Sequence, residues 1–175
     1  MKKLILPCFV AASLLLGGCS LRPLYASGSK GEVAALLSGV EVAAIEGHSG
    51  WLVRNALRDR LRATQNGQDS GQPYRLDVRL DDNIEGFGVR SDDSITRERR
   101  ILRARYQLVD KASGQVILDA TAAQDAGIDV VGSEFSTISA ESTVLERLAS
   151  GIADQMVARI AVFADRGGGR EPKAQ

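Results

Sequence analysis

Alternation of apolar and polar side chains is the strongest pattern in this chain. Tyr74, Leu76, Val78 and Leu80 alternate with Arg75, Asp77, Arg79 and Asp81, which predicts a strand with one buried and one wet face. Leu102, Ala104, Tyr106 and Leu108 repeat the pattern against Arg103, Arg105 and Gln107. Asp110-Lys111-Ala112-Ser113-Gly114 then supplies turn chemistry, and Val116, Leu118 and Ala120 begin a return strand. Together they predict an antiparallel meander with a single apolar face, and that face needs a cover.

The cover is written in a different period. Ahead of the meander, Gly39-Val40-Glu41-Val42-Ala43-Ala44-Ile45 reads as a first strand ended by Gly47. Ser49 is placed to cap a helix from Gly50 or Trp51 to Thr64, with Val53, Leu57 and Leu61 four apart on one side. Asn66-Gly67-Gln68-Asp69-Ser70-Gly71 breaks it. After the meander, from Ser136 or Ser139 to Ala164, the residues Leu145, Leu148, Ile152, Met156, Ile160 and Phe163 form one helical stripe. Glu141 and Glu146 lie near its start, where the helix dipole favours negative charge. The expected fold class is therefore α+β. Two helices pack on one face of a mostly antiparallel four-stranded sheet, in the order β-α-β-β-β-α. This domain spans 39–166, with a loose tail at 167–175.

The amino terminus has a different character. Lys2 and Lys3 precede an apolar stretch from Leu4 to Leu16, which ends in Gly17-Gly18-Cys19. Basic residues, a short apolar run and small residues before a cut make a secretory signal over residues 1–18. A spanning helix needs roughly 20 apolar residues, so the stretch is too short to serve as one. Leu16-Gly17-Gly18-Cys19 also resembles the bacterial lipobox. That resemblance implies a diacylglycerol on the Cys19 thiol and an acyl chain on the new amino terminus. An ordinary signal peptide followed by an incidental cysteine is the alternative. Two or more lipid chains give stable membrane anchoring where one does not. Ser20 stands where an Asp would favour inner-membrane retention, so the expected location is the outer membrane, on its periplasmic side. Residues 19–38 read as a lipidated tether, with only a weak helical turn at Glu32–Leu37.

Charge and cysteine content narrow the function classes. Processing removes two of the 22 basic side chains and none of the 22 acidic ones, leaving a net charge of about −2. Such a balance excludes a general nucleic-acid binder. Cys8 leaves with the signal and Cys19 carries lipid, so no thiol pair remains to form a disulfide.

Catalytic chemistry has little to draw on. His48 is the one histidine, in Glu46-Gly47-His48-Ser49-Gly50. Adjacent Ser and His side chains cannot form a triad, and no G-x-S-x-G elbow is present, so His48 reads as a solvated loop residue. Zinc sites draw on several His and Cys side chains, which this chain lacks. Asp81-Asp82-Asn83 and Asp92-Asp93 are oxygen-rich but lack the ligand alternation of a calcium loop. Gly86-Phe87-Gly88 does not open a helix and reads as a hairpin tip or bulge. The expectation is no catalytic residue and no metal ligand.

One constellation remains. Arg97, Arg99, Arg100, Arg103 and Arg105 crowd into nine residues that run from a loop into a strand. The odd-numbered members share a strand face, opposite Leu102 and Tyr106. Arg75 and Arg79 of the preceding strand can join them, while Asp77 and Asp81 offset part of the charge. Two readings stand: a solvated face laced with ion pairs, or an anion site, since guanidinium binds phosphate through a two-point fork.

Short motifs along the chain resemble a known family. Cys19-Ser20-Leu21-Arg22-Pro23-Leu24-Tyr25 resembles the start of the lipopolysaccharide-assembly lipoprotein family LptE, alphaproteobacterial type. Cys19, Pro23, Leu24 and Tyr25 match, and Ser20-Leu21 replaces the usual Gly-Phe. Thr96-Arg97, Tyr106-Gln107-Leu108-Val109-Asp110 with Gly114, and Phe135 with Ala140-Glu141 are also similar to that family. The resemblance implies a non-enzymatic plug inside the outer-membrane barrel LptD, supporting barrel assembly and delivery of lipopolysaccharide to the cell surface. It implies no cofactor beyond the lipid on Cys19, and binding of lipopolysaccharide through basic side chains. Charge clustering offers Arg97, Arg103 and Arg105 for that role. The competing reading is a free-standing envelope lipoprotein that binds a small ligand or scaffolds another complex.

Overall fold

A computed structural model describes residues 31–63, 72–89, 95–130 and 133–167. Its elements are α1 (Glu32–Ser38), β1 (Val40–Val42), α2 (Gly47–Arg62), β2 (Tyr74–Val89), β3 (Ile95–Asp110), β4 (Val116–Asp129) and α3 (Glu134–Asp165). One four-stranded sheet runs in the order β1-β2-β3-β4. The β2–β3 and β3–β4 pairs are antiparallel, and β1 pairs with β2 in parallel. A parallel pair needs a crossover between its strands, and α2 supplies it. This is the expected α+β order, with α2 and α3 as the two main helices on one face of a mixed, mostly antiparallel sheet.

The core lies between sheet and helices. Leu76 and Val78 of β2 and Leu102, Ala104, Tyr106 and Leu108 of β3 are buried, as the alternation predicts. From the helices, Val53, Leu57 and Leu61 of α2 meet Leu145, Leu148, Ile152, Met156 and Ile160 of α3 in the same cluster. Each such side chain contributes about 1.5–3 kcal/mol on burial. Phe163, the last of the expected stripe, is only partly buried. Among the described residues no helix is long and apolar enough to cross a membrane.

Four local expectations differ from the structure. Glu32–Ser38, within the segment read as tether, is a helix whose Val33, Ala34, Leu36 and Leu37 enter the core. Seven residues are too few to show a helical period clearly, and tertiary packing supplies the stability. The first strand is shorter than expected, Val40–Val42, although the Ala43 N–H still donates to the Leu76 carbonyl at 3.1 Å. Helix α2 starts at Gly47 rather than Gly50, without a side-chain cap. Gly47 takes φ +79°, a left-handed turn that glycine adopts without strain. His48 thus belongs to the first helical turn, exposed and stacked on Trp51 with ring centroids 6.3 Å apart.

Strands β2 and β3 are also longer than their alternation implied, 16 residues each. Gly86-Phe87-Gly88 forms neither tip nor bulge, because one unbroken register joins Tyr74↔Asp110 to Val89↔Ile95. From Asn83 to Gly88 every residue of β2 is exposed. With both faces wet, no inside-outside contrast remains to be read from the residues. The turn at Asp110 matches expectation: its Oδ1 accepts from the Ala112 and Ser113 N–H groups at 2.7 and 3.1 Å.

Candidate functional site

The helices cover one sheet face and leave the other open. Odd-numbered residues of β3 point to the open side, so Arg97, Arg99, Arg103 and Arg105 form one row there. Arg100 faces the helix layer, where its guanidinium donates to both Asp82 oxygens at 2.8 Å. The even-odd division thus splits the arginine run into four surface members and one structural member.

Most of the row is committed to aspartates. Arg97 Nε donates to Asp129 Oδ1 at 3.0 Å, and Arg99 Nε to Asp125 Oδ2 at 2.9 Å. Arg105 donates through Nη2 and Nε to Asp119 at 3.0 and 3.3 Å, and Gln107 Nε2 reaches the same carboxylate at 2.8 Å. The Arg105 bond, reinforced by Gln107, holds the Asp119 carboxyl below its ordinary value. On β2, Arg75 Nε bonds Asp77 Oδ1 at 2.9 Å. Exposed pairs of this kind are screened by water and salt and hold weakly, so a stronger anion can displace them.

Two guanidiniums on this face have no such partner. Arg103 faces Asp81 across the ladder without bonding it, and Arg79 lies directly opposite Arg105. Neither makes an ion pair or hydrogen bond among the described residues. Arg79 lines a cleft of about 500 Å³ together with Ala43, Ala44, Asp77, Val78, Arg105 and Gln107. Of the predicted trio, the structure brings Arg103 and Arg105 to one neighbourhood and places Arg97 towards the far end, level with Phe87 and Asp129. Arg79 is the better third member. Its position opposite Arg105 depends on strand register, which residue spacing along one strand does not reveal.

Cys19 lies outside the described residues. So do Asp92 and Asp93, while Asp81 and Asp82 point to opposite sheet faces, as neighbours on a strand must. Among the described residues no group of three His, Cys, Asp or Glu side chains is placed to hold a metal ion.

The fold is a sheet backed by helices on one side and studded with guanidinium on the other. The family model LptE, lipopolysaccharide-assembly, matches residues 37–160. The chain belongs to this LptE family, whose members are lipoproteins and not enzymes. Among solved structures, a candidate lipoprotein from the alphaproteobacterium Caulobacter crescentus is 27% identical, with TM-score 0.60, covering 78% of this chain and 98% of that one. Rare lipoprotein B from Shewanella oneidensis shares the fold at 8% identity and TM-score 0.55, over 72% of this chain and 98% of that one. A minor lipoprotein from Acinetobacter baumannii does so at 13% identity and TM-score 0.51, over 70% and 91%. No curated protein matches the sequence. Family membership supports a role in lipopolysaccharide assembly.

Proposed function

We propose that the protein is an outer-membrane lipoprotein, anchored through lipid on Cys19, that seats in an LptD-type barrel and takes part in lipopolysaccharide transport and insertion. The observation that carries the partner reading is the far end of the molecule. There β2 runs past the core, and Ile84, Phe87, Phe135 and Ile138 are exposed at 40, 45, 80 and 56%. The Arg97–Asp129 pair and the short link from β4 to α3 bring these four to the same end, with Ile84 on the helix side of β2 and Phe87 on its open side. Exposed apolar side chains grouped in this way mark a protein-contact surface. The open face beside it, polar and nearly neutralised, suits a water-filled lumen.

Lipopolysaccharide carries phosphate, and guanidinium recognises phosphate by charge and fork geometry. Arg97, Arg103 and Arg105 are proposed as its contacts, with Arg79 joining Arg105 at the cleft.

Gentle detergent extraction followed by affinity purification tests the partner. A barrel in equal amount is expected, and it is lost when Phe135 and Ile138 are replaced by Asp. A protein recovered alone would support the free-standing envelope module instead. Replacing Arg97, Arg103 and Arg105 with Glu is expected to weaken lipopolysaccharide binding in a salt-sensitive manner. Unchanged binding would reject that assignment. Cys19→Ser is expected to release the chain from the membrane.

A further inference from the structure

Helix α2 has a charged stripe that neither the core nor the sheet face uses. Trp51, Arg54, Arg58 and Arg62 recur at steps of three and four residues, so they share one side of the helix, away from Val53 and Leu57. Trp51 is 59% exposed, although it is the one tryptophan of the chain. Arg58 and Arg62 are exposed and make no ion pair or hydrogen bond among the described residues. Arg54 only donates Nε to the Val42 carbonyl at 3.4 Å, at the outer edge of β1. The three arginines line a cleft of about 350 Å³ beside β1. Its single acid, Glu41, is already held by Lys111.

Most other arginines described above are matched to a carboxylate. Arg75, Arg97, Arg99, Arg100 and Arg105 each have an aspartate, and so does Arg60 on the inner side of this same helix. Arg79 and Arg103 on the sheet and Arg147, Arg159 and Arg166 of the long helix and its end also lack a carboxylate among the described residues, but only on α2 do three such arginines fall within nine residues on one stripe. From Arg54 to Arg62 the charges extend over about 12 Å of helix. A row of that length matches an array of negative groups better than one ion, which needs converging donors. An exposed indole at the end of the row adds the side chain that favours the headgroup boundary of a bilayer, where one part is apolar and the other wet.

We infer that Trp51, Arg54, Arg58 and Arg62 form a membrane-contact face that lies on anionic lipid headgroups, with Trp51 at the boundary between headgroups and acyl chains. This rests on the proposed Cys19 anchor only for proximity. The stretch between Cys19 and the start of α1 at Glu32 reaches at most about 45 Å when extended. Contact of this kind would orient the tethered domain on the bilayer and set which faces remain free for a protein partner.

Trp51 makes the test direct, because all tryptophan emission comes from this stripe. The purified full chain is mixed with vesicles of phosphatidylcholine alone, or with about a quarter phosphatidylglycerol. On the anionic vesicles, Trp51 emission is expected to shift to the blue and acrylamide quenching to fall at least threefold, with both changes reversed by high salt. The Arg58→Gln/Arg62→Gln variant, which leaves the Arg54 bond to Val42 intact, is expected to lose both. Equal quenching on the two vesicle types, or a variant that behaves as the parent, overturns the inference. Protection of Trp51 by inorganic phosphate alone, at matched ionic strength and without vesicles, would identify a single-phosphate site and also overturn it. Flotation with the neutral vesicles reports the lipid anchor separately, so failure of the anchor is distinguishable from failure of the stripe.

Discussion

Arg100 and Asp82 form a two-point ion pair on the helix-covered side of the sheet, with both bonds at 2.8 Å and side-chain exposures of 13 and 20%. Arg100 Nη1 also donates to the Glu141 carbonyl of α3 at 3.3 Å. One side chain therefore joins β2, β3 and the first half of the long helix.

Loss of this link should be felt in stability. Arg100→Ala leaves the Asp82 carboxylate largely enclosed without its partner, and a cost of about 2–3 kcal/mol is expected. Arg97→Ala breaks a pair exposed at 63 and 76%, so its cost should stay below about 1 kcal/mol. Urea unfolding of the two variants beside the parent checks the ranking.

A second link responds to pH. Arg60 of α2 donates to Asp154 of α3 through Nη2 at 2.9 Å and also bonds the Ser150 hydroxyl and carbonyl. The Arg60 bond holds the Asp154 carboxyl below its ordinary value. A lowered carboxylate stabilises the fold above its unfolded pKa, about 3.9, and that contribution is lost as pH falls through the lower folded value. Arg60→Gln should therefore be less stable than the parent at pH 7, and the gap should narrow as pH drops below about 4. Asp154 is 65% exposed, so solvent screening keeps its share of the gap to about 1 kcal/mol or less. Urea midpoints across that range measure it.

Two glycines in helices should answer differently to alanine. A Cβ on Gly50 would meet the Ile45 carbonyl oxygen and carbon at 2.7 and 2.8 Å, backbone atoms that cannot swing aside. Gly50→Ala should cost about 1–3 kcal/mol through this overpacking. On Gly151 the Cβ meets only the terminal amide of Gln124, which can rotate away. There the helix propensity of alanine offsets the shift, and stability should remain within about 1 kcal/mol of the parent. Thermal melts distinguish the two outcomes.

The ion pairs of the open face predict a gain as well as losses. Asp119→Asn removes the carboxylate that engages Arg105. Lipopolysaccharide binding by the full chain should tighten about two- to fivefold, the scale of one exposed pair. Equal affinity would place Arg105 outside the contact.

The stretches of sequence that revealed their structure are those with one dry and one wet side. Tyr74–Leu80, Leu102–Leu108 and Leu145–Ile160 each bury one face, and their apolar positions fall at the period of the element they form. Asn83–Gly88 lacked that contrast because β2 leaves the helix layer there. In α1 the chain was too short for a period to emerge.

The arginine row was legible as a row and no further. Alternation put Arg97, Arg99, Arg103 and Arg105 on one face because neighbouring strand residues must point opposite ways. Which of them keeps its charge available depends on aspartates 14 to 32 residues away in sequence, aligned across the β3–β4 ladder. The sequence by itself determined the β-α-β-β-β-α order of the main elements and the core stripes, since local periodicity carries that information. Only the tertiary structure decided that Arg100 is structural, that Arg103 and Arg79 are uncommitted, and that the α2 stripe is left open. Those facts are set by cross-strand register and by which faces the helices cover, and no single segment contains them.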